Sequence, residues 1–182
     1  MPRNMIYQYV KDFTSGRIAS GFGHCYRVYH LARELDVTDY DDEVLYAACF
    51  LHDIVLGENG HVKSGDKAEQ VLHEVGFPPS KISSVVEAIK SHWPGCTPLS
   101  VEGKLLHDAN LLDSLGAIGI VRLSIGAFFW YHYKNLNEVL DLIKDYRAKS
   151  DLLIYPKSKE LSVIKVKFMD QLIDELNKEE NL

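Results

Sequence analysis

Cysteine is scarce in this chain and poorly spaced for structural work. Cys25, Cys49 and Cys96 are its three, with no C-x-x-C pair among them. That excludes a disulfide framework and a thiolate zinc site, and it points to a reducing cytoplasm. The first ten residues lack the charged-then-apolar order of a secretory signal, so nothing there reads as cleaved. Long hydrophobic runs are missing too. The most apolar stretch, 111–130, is interrupted by Asp113, Ser114, Arg122 and Ser124, which falls short of the roughly 18 apolar residues of a membrane span. It reads as a buried pair of helices jointed at Gly116 and Gly119, and no membrane partner is expected. Positive charge is in deficit: 20 Lys and Arg against 26 Asp and Glu leave a net charge of −6. A protein that grips extended nucleic acid needs the opposite sign. No internal repeat, low-complexity run or long linker divides the chain.

What remains is one domain over 1–182, long enough to bury roughly 70% of the surface an unfolded chain exposes. The apolar period is helical throughout, with no convincing run of period-2 alternation, so the expected fold class is all-α, a bundle of seven to nine helices. Helices are expected over 23–35, 41–55, 64–75, 80–93, 101–115, 117–133, 136–148 and 158–177. Asp41 and Asp42 favour the start of the second, and Gly57, Gly76 and Pro94 act as stops. The core is expected over about 20–120, with the helices of 136–178 packed on it. In the last of these Leu161, Ile164, Phe168, Leu172 and Leu176 form an apolar stripe.

Eight histidines are many for this length, and several stand where solvated side chains do not belong. His24 lies one turn before Val28 and two before Leu31. His52 follows Leu45 and Ala48, His92 continues the stripe of Val85 and Ile89, and Asp108 shares a face with Leu111, Leu112 and Leu115. Buried alone, each would cost several kcal/mol. A divalent ion satisfies several such groups at once, because neutral imidazole and carboxylate are ordinary ligands. Adjacent His52 and Asp53 sit about 100° apart on a helix, yet near its end both can lean toward one ion. His24 and Asp108 complete a set of two histidines and two carboxylates. Such a mixed set leaves positions open and suits Mn, Fe, Co, Ni or Mg better than a closed tetrahedral zinc site.

GFGHCYRVYHLA (21–32), AACFLHDI (47–54), AIKSH (88–92) and HDANLLDSLGAIGI (107–120) follow one another in this order. Together they resemble the HD-domain superfamily of metal-dependent phosphohydrolases. The segments are most similar to its compact, stand-alone bacterial and archaeal branch, whose third motif reads Asp-Ala-Asp-Arg-Leu-Asp-Ala-Leu-Gly-Ala-Ile-Gly. The resemblance runs from about Tyr7 to Glu179. It implies an all-helical HD-domain fold with His24, His52, Asp53 and Asp108 as metal ligands. This chain departs from the branch at Asn110 and Leu111, where Asp-Arg is usual, and at His107, where Gln is common.

The chemistry expected is hydrolysis of a phosphomonoester, a phosphodiester or a nucleotide anhydride by metal-activated water, on a small phosphorylated molecule of nucleotide type. Manganese is one ion that suits it. Asp53 both ligates and orients the water. Arg27, one turn after His24, is the first candidate for the phosphate, ahead of Lys67 and Arg122. His92 is expected to donate to a phosphate oxygen or to the leaving group. Glu58 and His61, in the loop after the His-Asp pair, suit a general base or a second ion. His107 is expected beside the site rather than in it, and His30, His73 and His132 at the surface. Trp93 and Tyr26 are core aromatics, or platforms for a nucleobase. Two alternatives stay open. One is a di-iron oxygenase on the same fold, using His61 and His92. The other is a degenerate nucleotide-binding module, for which Asn110 and Leu111 are the argument. A homodimer is compatible with all three.

Overall fold

A computed structural model of the chain describes residues 1–129 and 132–180. Among these the regular structure is helical: α1 (Pro2–Phe13), α2 (Phe22–Arg33), α3 (Asp42–Leu51), α4 (Gly60–Glu74), α5 (Pro79–Ser91), α6 (Val101–Asp113), α7 (Gly116–Phe129), α8 (Leu136–Ala148) and α9 (Pro156–Glu180), with a 3-10 turn at Lys149–Leu152 before α9. The expected course of the α7 helix through Trp130 and Tyr131 lies outside the described residues, as does Asn181 of the polar tail. One helix, α1, was not expected from apolar period. It starts with Pro2 in its first turn and buries only Ile6 and Val10, too few positions for a period to show.

The centre of the bundle is α3. Asp41 caps it by accepting from the backbone N–H groups of Glu43 (2.9 Å) and Val44 (3.3 Å), and every residue from Val44 to Leu51 is buried. A helix buried on all sides needs neighbours all round, and α1, α2, α5 and α6 supply them. The helix stops at Leu51, short of the expected 55, so His52 is its C-cap and Asp53 already lies beyond it. The loop that follows is tied to α4 at Ser64, whose hydroxyl accepts from Val55 N (3.0 Å) and donates to Val55 O (3.1 Å).

The chain turns sharply between α6 and α7. Gly116 has φ +73°, and a Cβ on Gly119 would collide with the backbone of Ser114, so this joint requires both glycines. The two helix axes bend by 85°, and no single described helix is long and apolar enough to cross a membrane. α7 carries the chain into a second packing unit, where Leu115, Ile143 and Met169 are buried between α7, α8 and α9.

Two expectations about this half are corrected. The pair α6 and α7 is not buried as a whole: α6 is, but α7 exposes Ile118, Val121, Phe128 and Phe129. The apolar stripe of α9 faces the bundle only in part: Leu161 packs against the core, but Ile164 and Phe168 are exposed. Ile164 is 76% exposed, whereas Ser158, Ser162 and Met169 are buried. The reason is a polar anchor. Asp108, fully buried on α6, accepts from the N–H groups of Ile154 (2.9 and 3.0 Å) and Tyr155 (2.8 Å), from the Ser158 hydroxyl (2.5 Å) and from His107 Nδ1 (2.9 Å). A carboxyl group on one helix thereby satisfies the donors at the start of another, and this fixes which face of α9 turns inward. Asp108→Ala should lower unfolding free energy by about 3 kcal/mol, since it strands several buried donors at once. Chemical denaturation reads the loss, and metal content, measured alongside, should be unchanged.

Candidate metal centre

His24 projects from α2, His52 and Asp53 from the end of α3, and His92 from the end of α5 as its C-cap. Each histidine makes one defining bond through Nδ1. His24 Nδ1 lies 2.7 Å from Asp113 Oδ2, His52 Nδ1 2.9 Å from Cys49 O and His92 Nδ1 2.6 Å from Ile89 O. A carbonyl or a carboxylate only accepts, so every Nδ1 is the donor and every neutral ring presents a bare lone pair at Nε2. Two of these meet head-on, with His24 Nε2 and His52 Nε2 3.0 Å apart. Asp53 Oδ2 stands 3.4 Å from the first and 3.7 Å from the second.

Lone pairs facing each other beside a carboxylate require something positive between them, either a shared proton or a metal ion. Donors that bind one ion at about 2.1 Å and at right angles lie about 3.0 Å apart, so the separations fit a shared ion. His24, His52 and Asp53 form a group of donors compatible with a divalent cation. His92 adds a fourth lone pair nearby. Its ring lies edge to face with His52 at 5.1 Å, and its Nε2 is buried with no hydrogen-bond partner.

The electrostatics agree with ligand chemistry. Burial pushes His52 down to about 4 and His92 down to about 3, against only partial opposition from Asp53, so both are neutral at pH 7. Burial works to raise Asp53, but the adjacent histidines hold it well below the ordinary carboxylate range. Asp113 is held low in the same way: burial raises it, and His24, Arg27 and Arg122 more than offset that.

Asp113 was not singled out from the sequence, and it organises the site. Besides His24 it holds Arg27 through a two-pronged pair (2.7 and 3.0 Å) and Arg122 Nη1 at 2.9 Å. Arg27 is therefore engaged on Asp113 and is not among the residues lining the neighbouring cavity. Arg122, ranked behind it in the sequence reading, is the cation that lines it. Largely buried beside Asp113, Arg122 also donates to Ala19 O (2.5 Å) and Asp113 O (3.1 Å). Lys67 points elsewhere, toward Gln70 at 3.4 Å.

The cavity encloses about 580 Å³ and reaches the cluster through Asp53; Glu58, His61, Trp93, Asn110 and Arg122 also line it. His61 and Trp93 stack nearly parallel, 11° between planes at 5.9 Å. Tyr26 is not part of this wall. It is 47% exposed and packs on His30 at 4.3 Å. His107 is buried and bonded to Asp108, away from the three-residue group.

The expected fourth ligand needs correction. Asp108 is not brought to the cluster, because its oxygens are taken by the start of α9. Helix phase explains it. At about 100° per residue, Asp108 and Asp113 stand about 140° apart around α6, and Asp113 is the one that faces His24. Spacing alone could not say which of two aspartates on an apolar helix turns toward α2. His92 is corrected in role as well. With Nδ1–H committed to Ile89 O and the ring neutral, Nε2 accepts and has no proton to give a phosphate or leaving group.

Residues 21–115 match the HD domain family, so the chain belongs to that family. Three solved structures share its fold over nearly the whole length. A Lactobacillus plantarum protein superposes with a TM-score of 0.80 at 20% identity, covering 99% of this chain and 97% of the other. Bacillus subtilis YpgQ in complex with ADP gives 0.75 at 24%, covering 98% and 94%. An HD-superfamily hydrolase from Bacillus thuringiensis gives 0.70 at 24%, covering 98% and 96%. Among proteins of curated function no sequence relative matches.

Two outcomes test the centre. Asp113→Asn should weaken divalent-metal binding about 10–100-fold, the usual effect of removing the carboxylate behind a histidine ligand, as measured by chelator competition. The lowered histidines also set a pH dependence. Unfolded imidazoles titrate near 6.5, so between that pH and about 4 the unfolded chain binds protons that the folded metal-free chain refuses. Stability is full above pH 6.5 and falls through this window as pH drops. Calorimetry of metal-free protein should show the midpoint falling from pH 7 to pH 5, less steeply in His52→Ala.

Proposed function

We propose that this protein is a metal-dependent phosphohydrolase acting on a small phosphorylated molecule of the nucleotide class. The observation that carries the reading is the convergence of the Nε2 lone pairs of His24 and His52 with Asp53 at one end of a cavity that also holds a largely buried arginine. When bound there, a divalent ion supplies Lewis acidity toward water and toward a phosphoryl oxygen.

The chain's own residues do the rest. Asp53, between the histidines and the cavity, orients a water through its second oxygen. Glu58, on the same wall, is the acceptor for the proton of that water. Arg122 is fixed by three bonds to Ala19 and Asp113, so its charge is positioned in advance for a transferring phosphate. The stacked His61 and Trp93 offer a flat aromatic wall for a base. A cavity of this size is also within the usual range for a small-molecule site. The ADP bound by YpgQ, a protein of the same fold, is consistent with that class of ligand. The cytoplasm, where such substrates are held, suits the free thiols of Cys25, Cys49 and Cys96.

His52→Ala and Asp53→Ala should each abolish bound metal and hydrolysis together while leaving helical content intact. Metal analysis, circular dichroism and a panel of phosphomonoesters and nucleoside phosphates read the three quantities, and variants that keep stoichiometric metal would refute the site. The unpartnered Nε2 of His92 favours one second reading, a di-iron oxygenase drawing on His61 and His92. Two equivalents of iron with oxygen-sensitive colour would support it over hydrolysis.

A further inference from the structure

The carboxylate that fails to reach the centre leaves a gap on the α6 side, and Asn110 stands there. Around α6 it lies about 200° from Asp108 and about 60° from Asp113, so it shares the face that Asp113 turns toward His24. It is 8% exposed and lines the cavity together with Asp53. Its backbone carbonyl accepts from Ser114 N (3.2 Å) and Ser114 Oγ (3.0 Å), but its side-chain amide makes no hydrogen bond among the described residues. An amide that opens on the cavity beside Asp53 and has no protein partner keeps its oxygen free to act as a ligand.

We infer that Asn110 supplies the fourth protein ligand through its amide oxygen, in place of a second carboxylate. This rests on the metal-dependent reading above and makes it specific to this chain. Two neutral imidazoles, one carboxylate and one neutral amide cancel only one of the two charges on a divalent ion. A set with two carboxylates cancels both. The centre of this protein therefore holds its ion more weakly and leaves it more positive toward an anionic phosphate and a water. Carbonyl oxygen in the set also favours Mn or Mg over softer ions.

Manganese titration of the purified protein by calorimetry and chelator competition, with Asn110→Ala, Asn110→Asp and His52→Ala alongside, tests this. Asn110→Ala should bind Mn about tenfold more weakly or worse, and Asn110→Asp about tenfold more tightly or better. The visible absorption of the Co(II)-loaded protein should change in both. A residue that merely packs against the cavity gives no loss of affinity on becoming Ala, so the loss in Asn110→Ala is diagnostic, whereas the gain in Asn110→Asp shows that the position reaches the ion. If Asn110→Ala does not fold by circular dichroism, Asn110→Leu, close in volume and without a donor atom, takes its place and should show the same loss. Wild-type protein that binds one Mn while the folded Asn110 variants stay within about twofold of it, or shift in any other pattern, overturns this inference alone. Wild-type protein that binds no more Mn than His52→Ala overturns the metal reading and this inference with it.

Discussion

Three histidine side chains give away the same proton in the same way, and the rest of the site depends on that. Each Nδ1–H is claimed by an acceptor that cannot donate, namely Asp113, Cys49 O or Ile89 O. The tautomer is thus fixed by the scaffold rather than by a ligand, and the lone pairs are aimed before anything binds. Two of the acceptors are backbone carbonyls near the ends of α3 and α5, where carbonyl groups lack helical partners in any case. Helix termini supply that constraint without extra residues. The third histidine, His24, stands in the first turn of α2, where backbone carbonyls are taken by the helix, so it needs a dedicated carboxylate, and Asp113 in turn needs two arginines to stay ionised in a buried position.

Helix α6 shows how phase divides labour among similar side chains. Asp108 faces α9 and fastens it, Asp113 faces α2 and aims His24, and Asn110 opens on the cavity. All are buried within six residues of sequence, and their roles differ because about 100° of rotation separates each position from the next. Composition treats the two aspartates alike; the helix does not.

The helical class, the order of the elements and the inward position of His24, His52 and His92 were legible from the sequence, because a 3.6-residue period places polar groups on apolar faces unambiguously. The end of α3 was less so. Apolar residues continue through Ile54 and Val55, and only the structure shows the helix stopping at Leu51 with His52 as cap. The inward face of α9 was legible only in part: Leu161 packs inward as its stripe suggests, but an apolar stripe outweighs two serines in any hydrophobicity count, whereas in the fold Ser158 reaches a buried carboxyl group. Asp113 lies 89 residues from its partner His24. No local spacing encodes such a contact, since it depends on how α2 packs against α6. Arg27 satisfied a geometric rule within its own helix and was nonetheless drawn to that same distant carboxylate.

The glycine joint between α6 and α7 has a mechanical side. The cavity is a seam: Asp53, His61 and Trp93 belong to the packing unit before the joint, and Arg122 and Tyr146 to the unit after it. A fourteen-residue helix such as α7 is about 21 Å long at 1.5 Å per residue. By simple leverage, a tilt of about 5° at Gly116 then displaces its far end by about 2 Å. Arg122 sits nearer the pivot and moves far less. Its bonds to Ala19 and Asp113 tie the guanidinium to the unit before the joint, so the angle at Gly116 bears on the width of the rim more than on the alignment of the charges.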